Sequence, residues 1–254
     1  GAADVAPLEV VVTNRGGGPL KGAEVTVTRG RDVVATEVAD AHGSVKVPLA
    51  AGDYTVRATF DSVCVTASPA AASVQHVAGV ASRAALTIDG VSVITGRLTA
   101  DGAPAVGALV NASGAGKYRN LGAVDSDGRF AFEACPGVPY QVWGERSATS
   151  AGYFTTYLGG VTREADAATV SVPAGSAASV DIPMFTQVGS ISVKVVDAKG
   201  KPQPDTRITV HGVDRNFYLR KRTDRNGNVR LDGMLRGTYT VGRYKTVTVT
   251  PKKT

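Results

Sequence analysis

Three histidines, His42, His76 and His211, are the side chains of this chain best suited to acid-base work or to holding a metal ion. They are scattered, with no HExxH, no His-x-x-Glu and no cysteine pair at ligand spacing. His42 stands inside an Asp-Ala-His-Gly turn and reads as a solvated loop residue. Asp125-Ser126-Asp127-Gly128 and Asp224-Arg225-Asn226-Gly227 begin like calcium loops, but Pro136 and Leu235 stand where the twelfth-place Glu is needed. Turn formation accounts for both, and for the histidine-containing copy as well. No Gly-x-Ser-x-Gly elbow offers a serine nucleophile. Gly16-Gly17-Gly18 joins two strands with no helix start behind it to hold a phosphate. The expectation is a non-enzymatic protein with no catalytic residues, no metal and no cofactor.

Binding residues are easier to nominate. Trp143, Tyr153, Phe154 and Tyr157 lie in or beside one aromatic-rich insertion, where they either stack on a sugar or a neighbouring protein, or cover the open end of a domain as a satellite core. Arg215, Arg220, Lys221, Arg222 and Arg225 form the densest basic run, placed where a hairpin should turn. Residues 188–254 hold 15 Lys or Arg against 5 Asp or Glu, whereas residues 1–187 hold 13 against 17, so an anionic partner belongs at the C-terminal end. Cell-envelope polymers, acidic polysaccharide or another copy of the chain would be attracted there; a merely solvated loop is the simpler reading. Nucleic acid fits poorly, because a lone Phe217-Tyr218 pair supplies little stacking and no reading motif is present. Cys64 and Cys135 are the chain's two cysteines. They serve either as small buried apolar residues or as a bridge stapling one domain to the next.

The elements that position these residues repeat. Residues 124–142 read V-D-S-D-G-R-F-A-F-E-A-C-P-G-V-P-Y-Q-V, and the construction recurs twice. Asp40, Gly43, Val45, Val47, Gly52, Tyr54 and Val56 form the upstream copy; Asp224, Gly227, Val229, Leu231, Gly237, Tyr239 and Val241 form the downstream one. Asp opens a turn, Gly closes it at positive φ, and alternating apolar residues give a half-buried strand. The Tyr-x-Val pair is then expected to start a strand returning along the first, as a hairpin. Pro19, Pro104 and Pro202 precede the three Asp residues at nearly equal distances, so whole domains repeat. Abundant Gly, Thr, Val and Ala without helical periodicity predict an all-β chain of three tandem Ig-like or transthyretin-like β-sandwiches. Their expected spans are 8–90, 91–187 with the insertion at 144–168, and a basic 188–254, after an N-terminal lead at 1–7.

In the first unit strands are expected at 8–12, 24–28, 57–66, 74–77 and 84–88 around the hairpin; 170–172 and 179–182 should finish the second. The third unit starts directly after the second, which suggests a semi-rigid rod. Aligned on Val247 and Val249, the third unit stops before the strand that closes the others. That leaves a strand-exchange edge at Val247 and Val249, to be filled by more chain or by a neighbour's N-terminal lead. The opening Gly1-Ala2-Ala3-Asp4 looks like a cleaved leader or a trimmed tag, and no apolar run nears the ~18 residues of a membrane span.

The first unit's V-x-V-x-x-x-x-x-G-x-P-L-x-G-A-x-V-x-V, its D-x-x-G-x-h-x-h and its A-G-D-Y-T-V resemble the carboxypeptidase regulatory-like family, a transthyretin-like sandwich common in bacterial surface proteins. The second unit is similar to it down to Tyr157-Leu158-Gly159-Gly160 and Val172-Pro173-Ala174-Gly175; the third departs with Pro204-Asp205. The related B-type (Cna) repeats of collagen-binding adhesins often carry a Lys to Asn crosslink. Its lysine position falls at Val12, Arg97 and Val195, so no crosslink is expected. The resemblance implies a secreted or cell-surface structural or adhesive protein. The alternatives are a self-assembling filament or surface-array subunit, with copies of itself as partners, and a carbohydrate-binding accessory module; host or matrix proteins are further partners to consider.

Overall fold

Alternating side chains build each strand. In β1 (Ala6–Asn14) every second residue from Ala6 to Asn14 is buried, so Leu8, Val10 and Val12 face a core while their neighbours face water. The first unit continues through β2 (Glu24–Arg29), β3 (Asp32–Val38), β4 (Ser44–Leu49), β5 (Gly52–Thr59), β6 (Ala70–His76) and β7 (Ser82–Ile88). The second holds β8 (Ser92–Ala100), β9 (Ala103–Pro104), β10 (Leu109–Gly114), β11 (Lys117–Ala123), β12 (Arg129–Ala134), β13 (Gln141–Glu145), β14 (Thr156–Tyr157) and β15 (Ala177–Pro183). The third holds β16 (Gly189–Lys194), β17 (Arg207–Gly212), β18 (Tyr218–Arg222), β19 (Asn228–Met234), β20 (Gly237–Val241) and β21 (Lys245–Val249). This computed structural model describes residues 4–146, 154–186, 189–213, 217–235, 237–243 and 245–250. No helix among them is long and apolar enough to cross a membrane.

Each unit is two sheets face to face. The first pairs β4-β1-β7 against β3-β2-β5-β6, and the second pairs β12-β8-β15 against β11-β10-β13-β14. In both, the first and last strands run parallel side by side, Leu8 to Asn14 along Ser82 to Ile88 and Val93 to Thr99 along Ala177 to Pro183. The third has β18-β17-β20-β21 and, among the described residues, only β16-β19 opposite it. Three separate cores follow, except that Val91 and Val93, at the start of the second unit, pack into the first.

The three tandem sandwiches are as expected, but the hairpin is not. β4 pairs with β1 and β5 with β2, so the two strands after each Asp turn lie in opposite sheets. The same holds for β12 and β13, and for β19 and β20. Both strands of such an arch turn apolar residues toward one core, and alternation alone does not distinguish that from pairing. A tyrosine ties the arch. Tyr54 and Tyr239 donate their hydroxyls to the carbonyls of Ala50 (2.9 Å) and Leu235 (2.6 Å), and Tyr140 accepts from the Cys135 amide (2.9 Å).

The turns follow one rule. Asp40 Oδ1 accepts the amides of His42 and Ser44, Asp125 Oδ1 those of Asp127 and Arg129, and Asp224 Oδ1 those of Asn226 and Asn228. Asp197 repeats it with Lys199 and Lys201. Gly43, Gly128 and Gly227 sit at φ 71°, 75° and 75°, with a Cβ there overlapping the carbonyl of Val12, Leu98 or Val195.

Several expected strands shift. β5 ends at Thr59, and 60–69 is irregular chain carrying Cys64, because its polar and bend residues give no continuous alternation. Val170 makes only an isolated bridge to Tyr140. β1 begins at Ala6, two residues inside the expected lead, and Ala6 pairs with Leu49. The crosslink register aligns Val12 with Leu98, not Arg97, since both amides donate to the turn glycine's carbonyl, Val12 to Gly43 and Leu98 to Gly128.

Candidate functional site

An aromatic row crosses the outer face of the second unit's larger sheet. In β13, Val142 and Gly144 are buried toward the core, which turns Trp143 outward. Its cross-strand neighbours are Asn111 in β10 and Tyr157 in β14. Tyr118 in β11 completes the row: its ring centroid lies 5.9 Å from that of Trp143, which in turn lies 5.6 Å from Tyr157. The Tyr118 hydroxyl donates to Asn111 Oδ1 at 2.6 Å, and Trp143 Nε1 donates to Glu145 Oε1 at 2.8 Å. Burial and the nearby carboxylates of Glu164 and Glu145 push the Tyr157 phenol up from its ordinary value. The insertion is pinned beneath: Thr156, fully buried, donates to the Phe154 carbonyl (2.9 Å) and accepts the Phe185 amide (3.0 Å). Phe154 therefore stands at the root of the insertion rather than in the row, and Tyr153 lies outside the described residues. The aromatics do not cap an open end of the sandwich, because the strand alternation points them away from the core. Sequence reading missed Tyr118, Asn111 and Glu145, whose neighbourhood comes from strand register alone.

A second built region is the joint between the first two units. Cys64 and Cys135 are disulfide-bonded across it, 71 residues apart, and so are not two separate buried thiols. Ser62 Oγ hydrogen-bonds Glu133 Oε1 beside the bridge. On the opposite flank, the buried Asn14 donates to the carbonyls of Val91 (2.9 Å) and Ser176 (3.0 Å) while its Oδ1 accepts the Gly18 amide (2.8 Å). Gly16 and Gly18 are joint residues: a Cβ on Gly16 would meet Ala177 N at 2.5 Å, and one on Gly18 would meet Val93 Cβ at 2.6 Å. Between these flanks an open cleft of about 770 Å³ carries Lys21, His42, Arg97, Asp125, Arg129 and Asp181, a mixture of both charges. His42 Nε2 reaches Asp125 Oδ2 at 3.7 Å across it.

The other histidines are structural. His76 is buried, with Nε2 facing the carbonyls of Ala6 (3.0 Å) and Leu49 (3.1 Å) and Nδ1 facing Ser82 Oγ (2.6 Å). Two carbonyls can only accept, so Nε2 carries the proton. His211 packs its ring 4.8 Å from that of Tyr218.

Among the described residues, most of the basic run is strand rather than hairpin turn. Arg220, Lys221 and Arg222 lie in β18, an edge strand, and Arg225 lies in the turn after it; Arg215 falls outside the described residues. The 5 residues of β18 bury none of their side chains, so the sequence holds no alternation to separate this exposed strand from a loop. Arg222 pairs with Asp205 (3.2 Å), Lys221 donates to the Arg230 carbonyl (2.9 Å), and Arg220 hydrogen-bonds the Tyr218 hydroxyl. Val247 and Val249 lie in β21 and pair with Tyr239 and Gly237. The side matching β7 and β15 is instead the flank of β16, across the sandwich.

No protein-family model and no curated protein matches the chain. Among solved structures it is similar to a streptococcal ancillary pilin, at 10% identity over 98% of this chain and 96% of that one, with a TM-score of 0.41. It is also similar to the Bacillus anthracis TIE protein, at 14% identity over 97% of this chain with a TM-score of 0.31; this chain spans 46% of that protein. The major pilin subunit BcpA of Bacillus cereus gives 11% identity, coverage of 98% and 93%, and a TM-score of 0.27. Scores this low carry no argument about what the chain does.

Proposed function

We propose that the chain is a non-enzymatic, load-bearing structural protein of the extracellular face of a bacterial cell. The observation that carries this reading is the Cys64–Cys135 bridge between two sandwiches. A disulfide persists in oxidising compartments and is rare in the cytosol, which supports a secreted chain. Its place supports a mechanical role: with the backbone at 89–91 it gives the joint two covalent connections, and Asn14, Gly16 and Gly18 close the other flank.

The strand order agrees with load. A pull along the chain draws β1 and β7 in opposite directions along their shared length, so their ladder is loaded in shear, all bonds together, rather than unzipped one at a time. β8 and β15 repeat the arrangement. The likeness of the turn and core motifs to modules of bacterial surface proteins supports display at the cell surface.

Single-molecule pulling tests the proposal. When the first two units are extended without reductant, the 71-residue separation between the cysteines stays closed; reductant releases about 250 Å of further contour length. Equal contour lengths in both conditions, or first and second units that yield more easily than the third, would sink it.

A second reading, a self-assembling filament, is favoured by one observation: β16 has a partner on one side only among the described residues. The N-terminal lead is a poor donor, since Ala6 and Pro7 are already paired in β1. Light scattering across a concentration series decides it; a monomer throughout argues against strand exchange.

A further inference from the structure

We propose that the outer face of β11-β10-β13-β14 is a glycan-binding platform, on which a chain of neutral hexopyranose units stacks across Tyr118, Trp143 and Tyr157. This goes beyond the load-bearing reading and stands without it.

The row is an addition to the fold rather than a requirement of it. Three residues past the arch tyrosines Tyr54 and Tyr239 stand Arg57 and Gly242, where the second unit has Trp143. Tyr157 comes from the insertion, whose two-residue strand β14 places it beside Trp143. The three rings step across the sheet at 5.9 and 5.6 Å, each step close to the width of one sugar ring. Neighbouring planes are tilted by 42° and 31°, an open stack rather than a closed box around a cation. Tyr118 is 61% exposed, although burying it against a neighbour would be favourable.

The rim supplies the polar half of sugar recognition. Gln141, Glu145 and Glu164 surround the rings and present acceptors and an amide to equatorial hydroxyls; Gln141 Nε2 and the Glu164 carbonyl are 3.4 Å apart. Two carboxylates repel anionic polymers, so charge complementarity selects uncharged sugars. Beneath the row, Asn111 is fully buried and its Nδ2 has no partner among the described residues. An unpaired buried donor is costly to a fold that gains nothing from it. Asn111 Oδ1 accepts the Tyr118 hydroxyl at 2.6 Å, so the same residue holds one ring of the platform in place.

Trp143 is the only tryptophan, so its emission reports on this face alone. The probes are cellohexaose, maltohexaose, mannohexaose and chitohexaose, with polygalacturonate as the anionic arm and a lysine-rich peptide as the protein arm. At least one neutral hexaose should give a saturable change in emission. By calorimetry, Tyr118→Ala and Tyr157→Ala should each weaken it about tenfold. Tyr118→Phe, which keeps the ring, should retain most of the affinity. Thermal unfolding of each variant separates lost binding from lost folding, and a destabilised alanine variant is replaced by its leucine counterpart, which keeps bulk and removes the aromatic face. No response to any neutral hexaose up to about 10 mM overturns the proposal. So does affinity that survives both alanine substitutions, a preference for polygalacturonate, or an emission change driven by the peptide or by chain concentration alone.

Discussion

Gly128 and Gly22 share a backbone region and differ in surroundings, which makes them a controlled pair. Gly128 sits at φ 75° and a Cβ there would overlap the Leu98 carbonyl, whereas Gly22 sits at φ 87° with nothing within 4 Å. An alanine at Gly22 meets only the left-handed penalty, about 1 kcal/mol. At Gly128 the turn must move as well, and the Leu98 amide bond to the Gly128 carbonyl (2.8 Å) goes with it, for a loss of about 3 kcal/mol. Denaturant midpoints of Gly22→Ala and Gly128→Ala check the difference; equal losses would mean that the overlap is relieved elsewhere. Turn positions like these were legible in the sequence because Asp125 bonds amides two and four residues on, a wholly local event. Asn14 was not, since its carbonyl partners are 77 and 162 residues away. Tyr118 escaped for the same reason: nothing near it in sequence announces a tryptophan two strands across.

At the scale of the element, alternation identifies a strand's inner face and leaves its partner open. The core strands β1, β4, β5 and β7 were therefore readable as strands, yet β4 and β5 were expected to pair when they belong to opposite sheets. Two edge strands lacked even the alternation: β3 buries no residue, and β18 consists of Tyr218, Leu219 and three basic residues. Composition there answers a different need. β18 has one free side among the described residues, and Arg220, Lys221 and Arg222 discourage a second chain from pairing with it. Replacing all three with threonine, a good strand former, should leave the melting temperature nearly unchanged while light scattering on heating rises at lower temperature. Loss of stability without added aggregation would show that the charges serve the fold through Asp205 and the Arg230 carbonyl instead.

For the whole molecule, the joint decides which parts unfold together. Val91 and Val93 belong to the first core while opening the second unit, and the disulfide ties 60–69 to the end of β12. The first two units should therefore melt as one cooperative block. Among the described residues the third has a smaller core and a two-stranded sheet on one side, so it should melt separately and first. Closing a loop of 71 residues removes unfolded-state entropy worth about 4 kcal/mol. For a block of this size that corresponds to about 10 °C. Calorimetry with and without reductant should show the upper transition falling by that order while the lower one stays in place. A lower transition that moves with reductant, or an upper one that does not, would place the bridge's stabilisation outside the joint and separate the two units as mechanical parts.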